Sequence, residues 1–304
     1  MAAETISRNG VGVDLYDAMP SVGRKFLMAG KGGLNITHSE PDAAFCSRYG
    51  AREDRLKPLL AAFGPTAVRD WMCGLGVDSF VGSSGRVFPA GMKAAPLLRA
   101  WQQRLRTNGV RFHIRHRWHG WTRSTGERTA LFFLTPNGER HCQANAVVLA
   151  VGGGSWARLG SDGLWCAFLA EAGVALAPLR PANCGFDVGW SQHLRERYAG
   201  QPVKPVVLSF LDRTGARHQR LGEFVLTATG VEGSGIYALS ALLRDEIEAR
   251  GSATLHLDLL PGYDQERVIR ELARPRGARS LASHLQSRLR LKGVKVGLLH
   301  ECLS

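Results

Sequence analysis

Hydrophobic and polar positions alternate near the start of the chain with the period of a β-strand. Val11, Val13 and Leu15 alternate with glycine or polar residues and lead directly to Asp17. A period of two predicts a strand that ends at this acid. The preceding ten residues place alanine and isoleucine on one side, which predicts a short helix before the strand.

Helical periodicity dominates residues 40–75, where leucine and aromatic residues recur every three to four positions. A second helix is predicted from about Pro96 to Asn108, followed by a strand over 110–114. Between these helical regions, residues 85–89 read as a compact loop.

The stretch 118–151 reads as an antiparallel meander. Residues 130–134 form one strand, and the Pro-Asn-Gly sequence at 136–138 is typical of a hairpin turn because Asn-Gly suits positive φ. The continuous apolar run at 146–151 predicts a strand buried on both faces of a parallel sheet. It leads into a glycine turn that begins at Gly152.

Composition changes at Pro178 and Pro181, so we predict two domains, 1–178 and 179–304. The second domain contains three predicted strands and three predicted helices. The strands cover 203–210, 219–226 and 253–259, and the helices cover 236–250, 264–273 and 279–290. The final stretch, LKGVKVGLLHECLS, shows no recognisable closing element.

Net charge and hydropathy then narrow the functional classes. The 304 residues carry a net charge of +13 with a pI of about 10.0, which would suit nucleic acid or an anionic membrane. The basic residues are scattered and mostly arginine, without an RNA-binding aromatic signature, so we favour a solvated surface and predict no nucleic-acid partner. No window holds 18 apolar residues and no signal pattern precedes the first strand, which favours a cytoplasmic protein without a membrane span.

The spacing of the histidines and cysteines does not predict a metal site. His113, His116 and His119 are spaced by three but lack a carboxylate or cysteine that would complete a site. None of the six cysteines forms a C-x-x-C pair, and we expect them to be reduced core residues. His38 is the nearest candidate for a polar site residue, although a backbone-bonded loop histidine is the favoured interpretation.

Two stretches carry the chemistry expected of a nucleotide site. Asp17 at a strand end could accept hydrogen bonds from a ribose, and Arg24 and Lys25 could neutralise a phosphate. The glycine-rich loop 30–35 would let backbone N–H groups approach that phosphate. The alternative is an ordinary helix–strand connection in another α/β protein.

A second glycine turn follows the apolar run 146–151. Gly152 and Gly153 would place backbone close to a ligand, and Asp162 with Gly163 would start the next helix, with Asp162 as its cap. A buried strand, a glycine turn and a helix start predict a second contact for a phosphate or a flavin edge.

With these stretches in view, the sequence resembles the bacterial NAD(P)/FAD-dependent flavoproteins known as aminoacetone-oxidase-like. The matching segments span most of the chain in order. They are VDLYDAMPSVGRKFLMAGKGGLNITHSE, SSGRVFPAGMKAAPLLRAW, VVLAVGGGSWARLGSDG, LRPANCGFDV and GEFVLTATGVEGSGIYALS.

The resemblance implies an α/β fold, namely a three-layer Rossmann-like FAD-binding domain over 1–178, with an inserted β-barrel and helical module over 179–304. It implies FAD as cofactor, NAD(P)H as a candidate reductant and a small-molecule substrate. Asp17 would bind the ribose, Arg117 and Trp118 would lie near the adenine, and the remaining residues would follow the pyrophosphate and flavin. The candidate cofactor-binding residues are Asp17, Arg24, Lys25, Gly30, Gly32, Gly33, Asn35, Arg117, Trp118, Ala150, Gly152, Gly153, Asp162 and Gly163.

The sequence departs from this family at both ends. The fingerprint G-x-G-x-x-G should lie about 20 residues before the acid, and counting back from Asp17 passes Met1. The closing segment that covers the flavin is also not found. We therefore expect an incomplete, truncated fold that binds FAD poorly, and we assign no catalytic residue. The alternatives are a non-functional flavoprotein remnant and a basic protein that binds nucleic acid or another partner.

Overall fold

A computed structural model of the chain describes residues 1–28, 33–123 and 128–303. The chain forms two compact units, Met1–Leu179 and Arg180–Ser304. The candidate residues Gly30 and Gly32 lie outside the described residues.

The first unit combines short helices with short strands. Its α-helices are α1 (Ala2–Arg8), α2 (Arg24–Leu27), α3 (Asp42–Ser47), α4 (Glu53–Ala62), α5 (Pro65–Cys73), α6 (Ala94–Thr107) and α7 (Trp165–Glu171), and its 3-10 helices are Gly50–Arg52 and Ala157–Leu159. Its strands are β1 (Asp14–Asp17), β2 (Thr37–His38), β3 (Ser79–Val81), β4 (Arg86–Pro89), β5 (Arg111–Ile114), β6 (Arg117–Arg123), β7 (Thr129–Thr135) and β8 (Gly138–Ala144).

Strands β1 and β5 form a parallel pair, with Asp14 opposite Arg111 and Asp17 opposite Ile114. This pairing confirms the two predicted strands and the mixed α/β class. The pair is also joined by side chains, since the Arg111 Nε donates to Asp14 Oδ1 at 2.8 Å and His113 Nε2 lies 2.7 Å from the same oxygen. These contacts fix the first residue of β1 against β5.

This cross-strand cluster predicts an acid-sensitive contribution to stability. The hydrogen bond from Arg111, together with His113, lowers the pKa of Asp14 to about 2 against the opposing effect of burial. Because the folded-state pKa lies below the unfolded value of about 4, the stabilisation is complete above about pH 4 and is lost as the pH falls. We expect the difference in unfolding free energy between the wild type and Asp14→Asn to shrink below about pH 4 in urea titrations. A difference independent of pH would contradict this assignment.

The remaining strands of this unit form two antiparallel sheets. The order β6-β7-β8 confirms the predicted meander, and Gly138 adopts φ +97° at the hairpin turn. The other sheet has the order β2-β4-β3. The prediction of a loop at 85–89 was therefore wrong over β4, which pairs on both edges and buries Val87 completely.

The apolar run 146–151 does not form the predicted buried strand. Its residues lie outside every helix and strand, and Val148 is 60% exposed. A strand buried on both faces needs ladder partners as well as apolar side chains. Within the described residues the parallel sheet consists of β1 and β5 alone, so the run has no neighbour to pair with.

Helix α1 contacts helices α5 and α6 through the buried carboxylate of Glu4. Glu4 is 2% exposed. Its Oε2 accepts hydrogen bonds from the indole N–H of Trp71 at 3.0 Å and of Trp101 at 2.8 Å. Its Oε1 accepts one from Arg104 at 3.0 Å and pairs with Arg8 at 2.6 Å. The sequence predicted only an apolar face for this helix. The structure adds a buried polar contact with α5 and α6.

The second unit consists of an antiparallel sheet and five helices. Its strands are β9 (Phe186–Asp187), β10 (Pro202–Leu211), β11 (Arg217–Leu226), β12 (Gly230–Glu232) and β13 (His256–Asp258). Its helices are α8 (Gln192–Tyr198), α9 (Ser234–Arg250), α10 (Gln265–Leu272), α11 (Leu281–Leu289) and α12 (Val294–Leu303). The predicted strands and helices of this region are present, while α8, α12, β9 and β12 were not predicted. Strand β12 lies within residues 227–235, which the sequence suggested to be a glycine-rich loop.

The sheet has the order β13-β10-β11-β12-β9 with antiparallel pairing throughout. An open sheet is therefore observed where the resemblance implied a β-barrel. Phe210 and Phe224 are 2% and 1% exposed and form the centre of its core. Helix α9 packs closely on β11, since a Cβ at Gly235 would lie 2.7 Å from the Glu223 carbonyl oxygen.

Candidate functional site

The first predicted contact, Asp17, lies at the carboxyl end of β1. Its Oδ1 accepts the Met19 N–H at 2.8 Å, and its backbone oxygen accepts the His116 N–H at 3.0 Å. Burial raises the pKa of the Asp17 carboxyl, against the opposing effects of the Met19 N–H and the Arg24 charge. The strand end thus presents a half-buried carboxyl with an arginine nearby.

Arg24 and Lys25 begin α2 directly after a tight turn. Gly23 adopts φ +74°, and a Cβ at this position would lie 2.7 Å from Leu98 Cδ1, so the turn requires glycine. The Nε of Arg24 is buried and has no hydrogen-bond partner among the described residues. A buried guanidinium nitrogen without an acceptor is costly and suits a site for an anion.

Lys25 joins the first stretch to the second glycine turn. Its Nζ donates to Ser155 Oγ at 2.9 Å and lies 3.5 Å from Ser161 Oγ. Ser161 is 5% exposed and donates in turn to the Gly153 carbonyl oxygen at 2.9 Å. Two candidate stretches about 130 residues apart in sequence therefore meet through one ammonium group.

The second turn is built from glycines that a side chain would strain or crowd. Gly152 adopts φ +75° with Ser161 Oγ beside it, and Gly163 adopts φ +72°. Gly153 has open space around its Cα. Ala150, which precedes this turn, is exposed. The backbone here is accessible for close approach by a ligand.

Asp162 contacts Arg117 rather than capping the next helix. Its Oδ2 accepts the Arg117 Nη1–H at 2.7 Å, and its Oδ1 accepts the Leu164 N–H at 3.2 Å. Helix α7 begins at Trp165 with Leu164 as its N-cap, so the predicted capping role was wrong. Burial would raise the pKa of Asp162, but these hydrogen bonds and the Arg117 charge outweigh it and lower the pKa.

Trp118 follows Arg117 on β6 and lies next to α7. Its ring meets Phe168 edge-on with the centroids 5.3 Å apart, and its indole Nε1 is buried without a partner in the described part of the chain. An indole N–H in this position usually finds an acceptor. The structure therefore leaves two donors, on Arg24 and Trp118, available among the predicted residues.

The described end of the glycine-rich loop, residues 33–35, contacts Met92. Leu34 N–H donates to the Met92 carbonyl oxygen at 2.9 Å, and Gly33 adopts φ +102° against Met92. Asn35 is exposed. No contact of Gly33 or Asn35 with the second turn is found among the described residues.

The histidines take structural roles. His38 Nε2 lies 3.0 Å from the Ser84 carbonyl oxygen and its Nδ1 accepts the Glu40 N–H at 3.2 Å, in agreement with the backbone-bonded interpretation. His116 Nδ1 lies 2.7 Å from the Ile114 carbonyl oxygen. In the ranges that the structure describes, no group of three or more His, Cys, Asp or Glu residues could coordinate a metal ion.

All six cysteines are free, but Cys46 alone is buried, so their expected core position was wrong for the other five. None of the helices that the structure describes is long and apolar enough to cross a bilayer.

The sequence did not single out Ser155 and Ser161, the two hydroxyl partners of Lys25. Both lie inside the glycine-rich segment GGGSWARLGSDG. Their positions directly after Gly154 and Gly160 were the available signal, because hydroxyl residues beside glycine turns often bond a neighbouring polar group.

A parallel pair that ends in an acid, together with the described glycine turns at Gly23 and Gly152, is characteristic of a Rossmann-like α/β domain. Comparison with known proteins agrees with this class. The profile of the family described as HI0933-like protein Rossmann domain matches residues 1–256, and the chain belongs to this family.

Individual relatives are more distant. The chain is 26% identical over 256 residues to a 3-dehydro-bile acid delta(4,6)-reductase of Clostridium scindens, a match that covers 84% of this chain and 60% of that protein. This chain therefore spans only part of the length of that relative.

Among solved structures, aklavinone-11 hydroxylase in complex with FAD and aklavinone is 13% identical with a TM-score of 0.35, covering 84% of this chain and 50% of that one. The p-nitrophenol 4-monooxygenase PnpA of Pseudomonas putida is 13% identical with a TM-score of 0.29, covering 96% and 60%.

Proposed function

We propose that the chain is part of an FAD-dependent oxidoreductase and that the Met1–Leu179 unit contains its cofactor site. The observation that carries this proposal is the contact between Lys25 and the second glycine turn through Ser155 and Ser161. An ammonium group beside a glycine turn, whose backbone a ligand can approach closely, suits the binding of a pyrophosphate. Membership of a Rossmann-domain family supports it.

The residues present fit such a cofactor. The Nε of Arg24 and the indole N–H of Trp118 are buried donors without partners among the described residues, and FAD offers phosphate oxygens and adenine nitrogens as acceptors. Asp17 lies at the end of β1, the position at which an acid of this kind of fold would bind the ribose. Lys25 would neutralise pyrophosphate charge, and Arg117 would be oriented by Asp162.

When bound, FAD supplies the electron-transfer chemistry, and the protein supplies binding and orientation. We further propose a small-molecule substrate, with NAD(P)H as the candidate reductant. The Clostridium scindens relative is named for reduction of a bile acid derivative, which supports a reductive reaction on a small organic molecule. Assignment to the aminoacetone-oxidase-like group stays a prediction.

Titration with FAD tests the cofactor site. We expect Lys25→Ala to raise the Kd for FAD by about tenfold relative to the wild type, because a charge-assisted hydrogen bond to phosphate is lost. Lys57→Ala provides the matched control, since Lys57 is an exposed lysine on α4 of the same unit. Quenching of flavin fluorescence over a wide range of FAD concentrations measures both, even where binding is weak.

The proposal is wrong if the wild type shows no saturable binding, or if Lys57→Ala weakens binding as much as Lys25→Ala. Tight retention of FAD after desalting would support the site and would contradict the expectation that this chain binds FAD poorly.

A further inference from the structure

The Arg180–Ser304 unit contains a groove of about 450 Å³ that the proposed cofactor chemistry does not use. Leucines line it from β13, α10, α11 and α12. The bottom of the groove belongs to the hydrophobic core, since Leu285, Leu289 and Leu291 are 8%, 1% and 4% exposed. Its rim includes Leu272 at the end of α10, which is 42% exposed. The groove is therefore concave, apolar and open to solvent on one side.

Three polar side chains interrupt this lining, namely Asp258, Tyr263 and Gln265. Asp258 is the one charged residue among the lining residues, and its Oδ1 accepts the Leu260 N–H at 2.8 Å. Its second carboxylate oxygen has no hydrogen bond among the described residues. Apolar walls with a few polar groups are features of small-molecule sites, and the volume of this groove lies within their usual range.

The neighbouring cations are occupied by the protein itself. The Arg267 guanidinium lies over the Tyr263 ring at 4.0 Å from its centroid. The Lys295 Nζ donates to the carbonyl oxygens of Pro205 at 2.6 Å and Leu259 at 2.7 Å. The charge of Lys295 interacts with the Asp258 carboxylate, but neither cation lines the groove, so a ligand in the groove would meet Asp258 first.

We propose that this groove binds an uncharged, largely apolar small molecule that carries a hydroxyl group. The apolar body lies along the leucines, and the hydroxyl donates to the Asp258 carboxylate. A ligand with its own carboxylate is disfavoured, because its negative charge would meet the like charge of Asp258 at the solvent-exposed side of the groove. The proposal does not depend on FAD binding, since every residue that carries it lies in the second unit.

Displacement of a neutral fluorophore from the full chain tests this assignment. The probe is 1-aminoanthracene, and the competitors are 1-decanol and decanoate, which share a chain length and differ in charge. We expect 1-decanol to displace the probe at concentrations about tenfold lower than decanoate, and Asp258→Asn to narrow this gap to about threefold or less. Asparagine keeps an acceptor for the Leu260 N–H, so the turn is preserved.

A pair of leucine variants locates the binding. Leu272→Gln should weaken binding of the probe by about tenfold, because it places an amide on an apolar wall. Leu281→Gln is the matched control, since Leu281 is 43% exposed on α11 and does not line the groove. Circular dichroism establishes that both variants fold.

Several results would overturn the proposal. Absence of saturable binding by the folded wild type, or equal losses in the two leucine variants, would exclude the groove as the site. Decanoate binding as tightly as 1-decanol would exclude the uncharged ligand class. Self-association of the wild type that Leu272→Gln abolishes would assign the groove to a second copy of the chain.

Discussion

Glu4→Ala is expected to lower the free energy of unfolding of the first unit by about 3–5 kcal/mol, because it leaves buried donors without their acceptor. The carboxylate accepts hydrogen bonds from Trp71, Trp101 and Arg104 while only 2% exposed. Burial would raise the pKa of Glu4, but the indole hydrogen bonds and the charges of Arg8 and Arg104 outweigh it and lower the pKa. The folded state therefore favours the ionised form.

Urea unfolding followed by tryptophan fluorescence measures this effect, since six of the seven tryptophans lie in residues 1–179. Glu53→Ala is the matched control, because Glu53 is also in the first turn of a helix of the same unit. Glu4→Gln keeps an acceptor oxygen and should lower the free energy of unfolding by less than Glu4→Ala. A loss below about 1 kcal/mol for Glu4→Ala would mean that these contacts are not formed in solution.

Gly230→Ala is expected to destabilise the second unit by about 2–3 kcal/mol, because its methyl group would meet backbone rather than a flexible side chain. A Cβ at this position would lie 1.9 Å from the Phe186 carbonyl oxygen and 2.8 Å from the Asp187 Cα. Both neighbours belong to β9, which pairs with β12 at Gly230. Relief of the overlap requires the two strands to separate.

Gly222→Ala provides a control in the same sheet, since Gly222 lies on β11 and a Cβ there would meet nothing within 4 Å. We expect this variant to be neutral or slightly more stable, because alanine restricts the unfolded chain. Urea unfolding followed by circular dichroism compares the two variants. Equal destabilisation by both would show that the close approach of β9 does not cause the effect.

Local patterns predicted much of the fold. The period-two alternation before Asp17, the hairpin at 136–138 and the helices α6 and α9 are all present. Each depends on residues close together in sequence, so local propensity and turn chemistry were enough. The strand β4 was missed because its short Arg-Val-Phe-Pro sequence, which ends in proline, resembles a loop.

The candidate site was predicted in part. Asp17, Arg24 and Lys25 were singled out by residue type beside a strand end and a glycine turn. In the structure the charge of Arg24 acts on Asp17, and Lys25 contacts the second glycine turn through Ser155. Their contacts were not predictable, because Ser155 lies 130 residues from Lys25 in sequence. Asp162 illustrates the same limit, since its position suggested a helix cap while Arg117 is its tertiary partner.

The sequence by itself determined the α/β class, the acid at the end of β1 and the two glycine turns, because φ/ψ preference and hydrophobic period are local properties. Only the tertiary structure decided which of these features meet. In the tertiary structure Glu4 is buried against Trp71 and Trp101, and the apolar run 146–151 does not pair with a strand. Leucines from β13 and three helices line a groove. Burial and pairing depend on partners that are distant in sequence, and a local pattern contains no information about which partner will be adjacent.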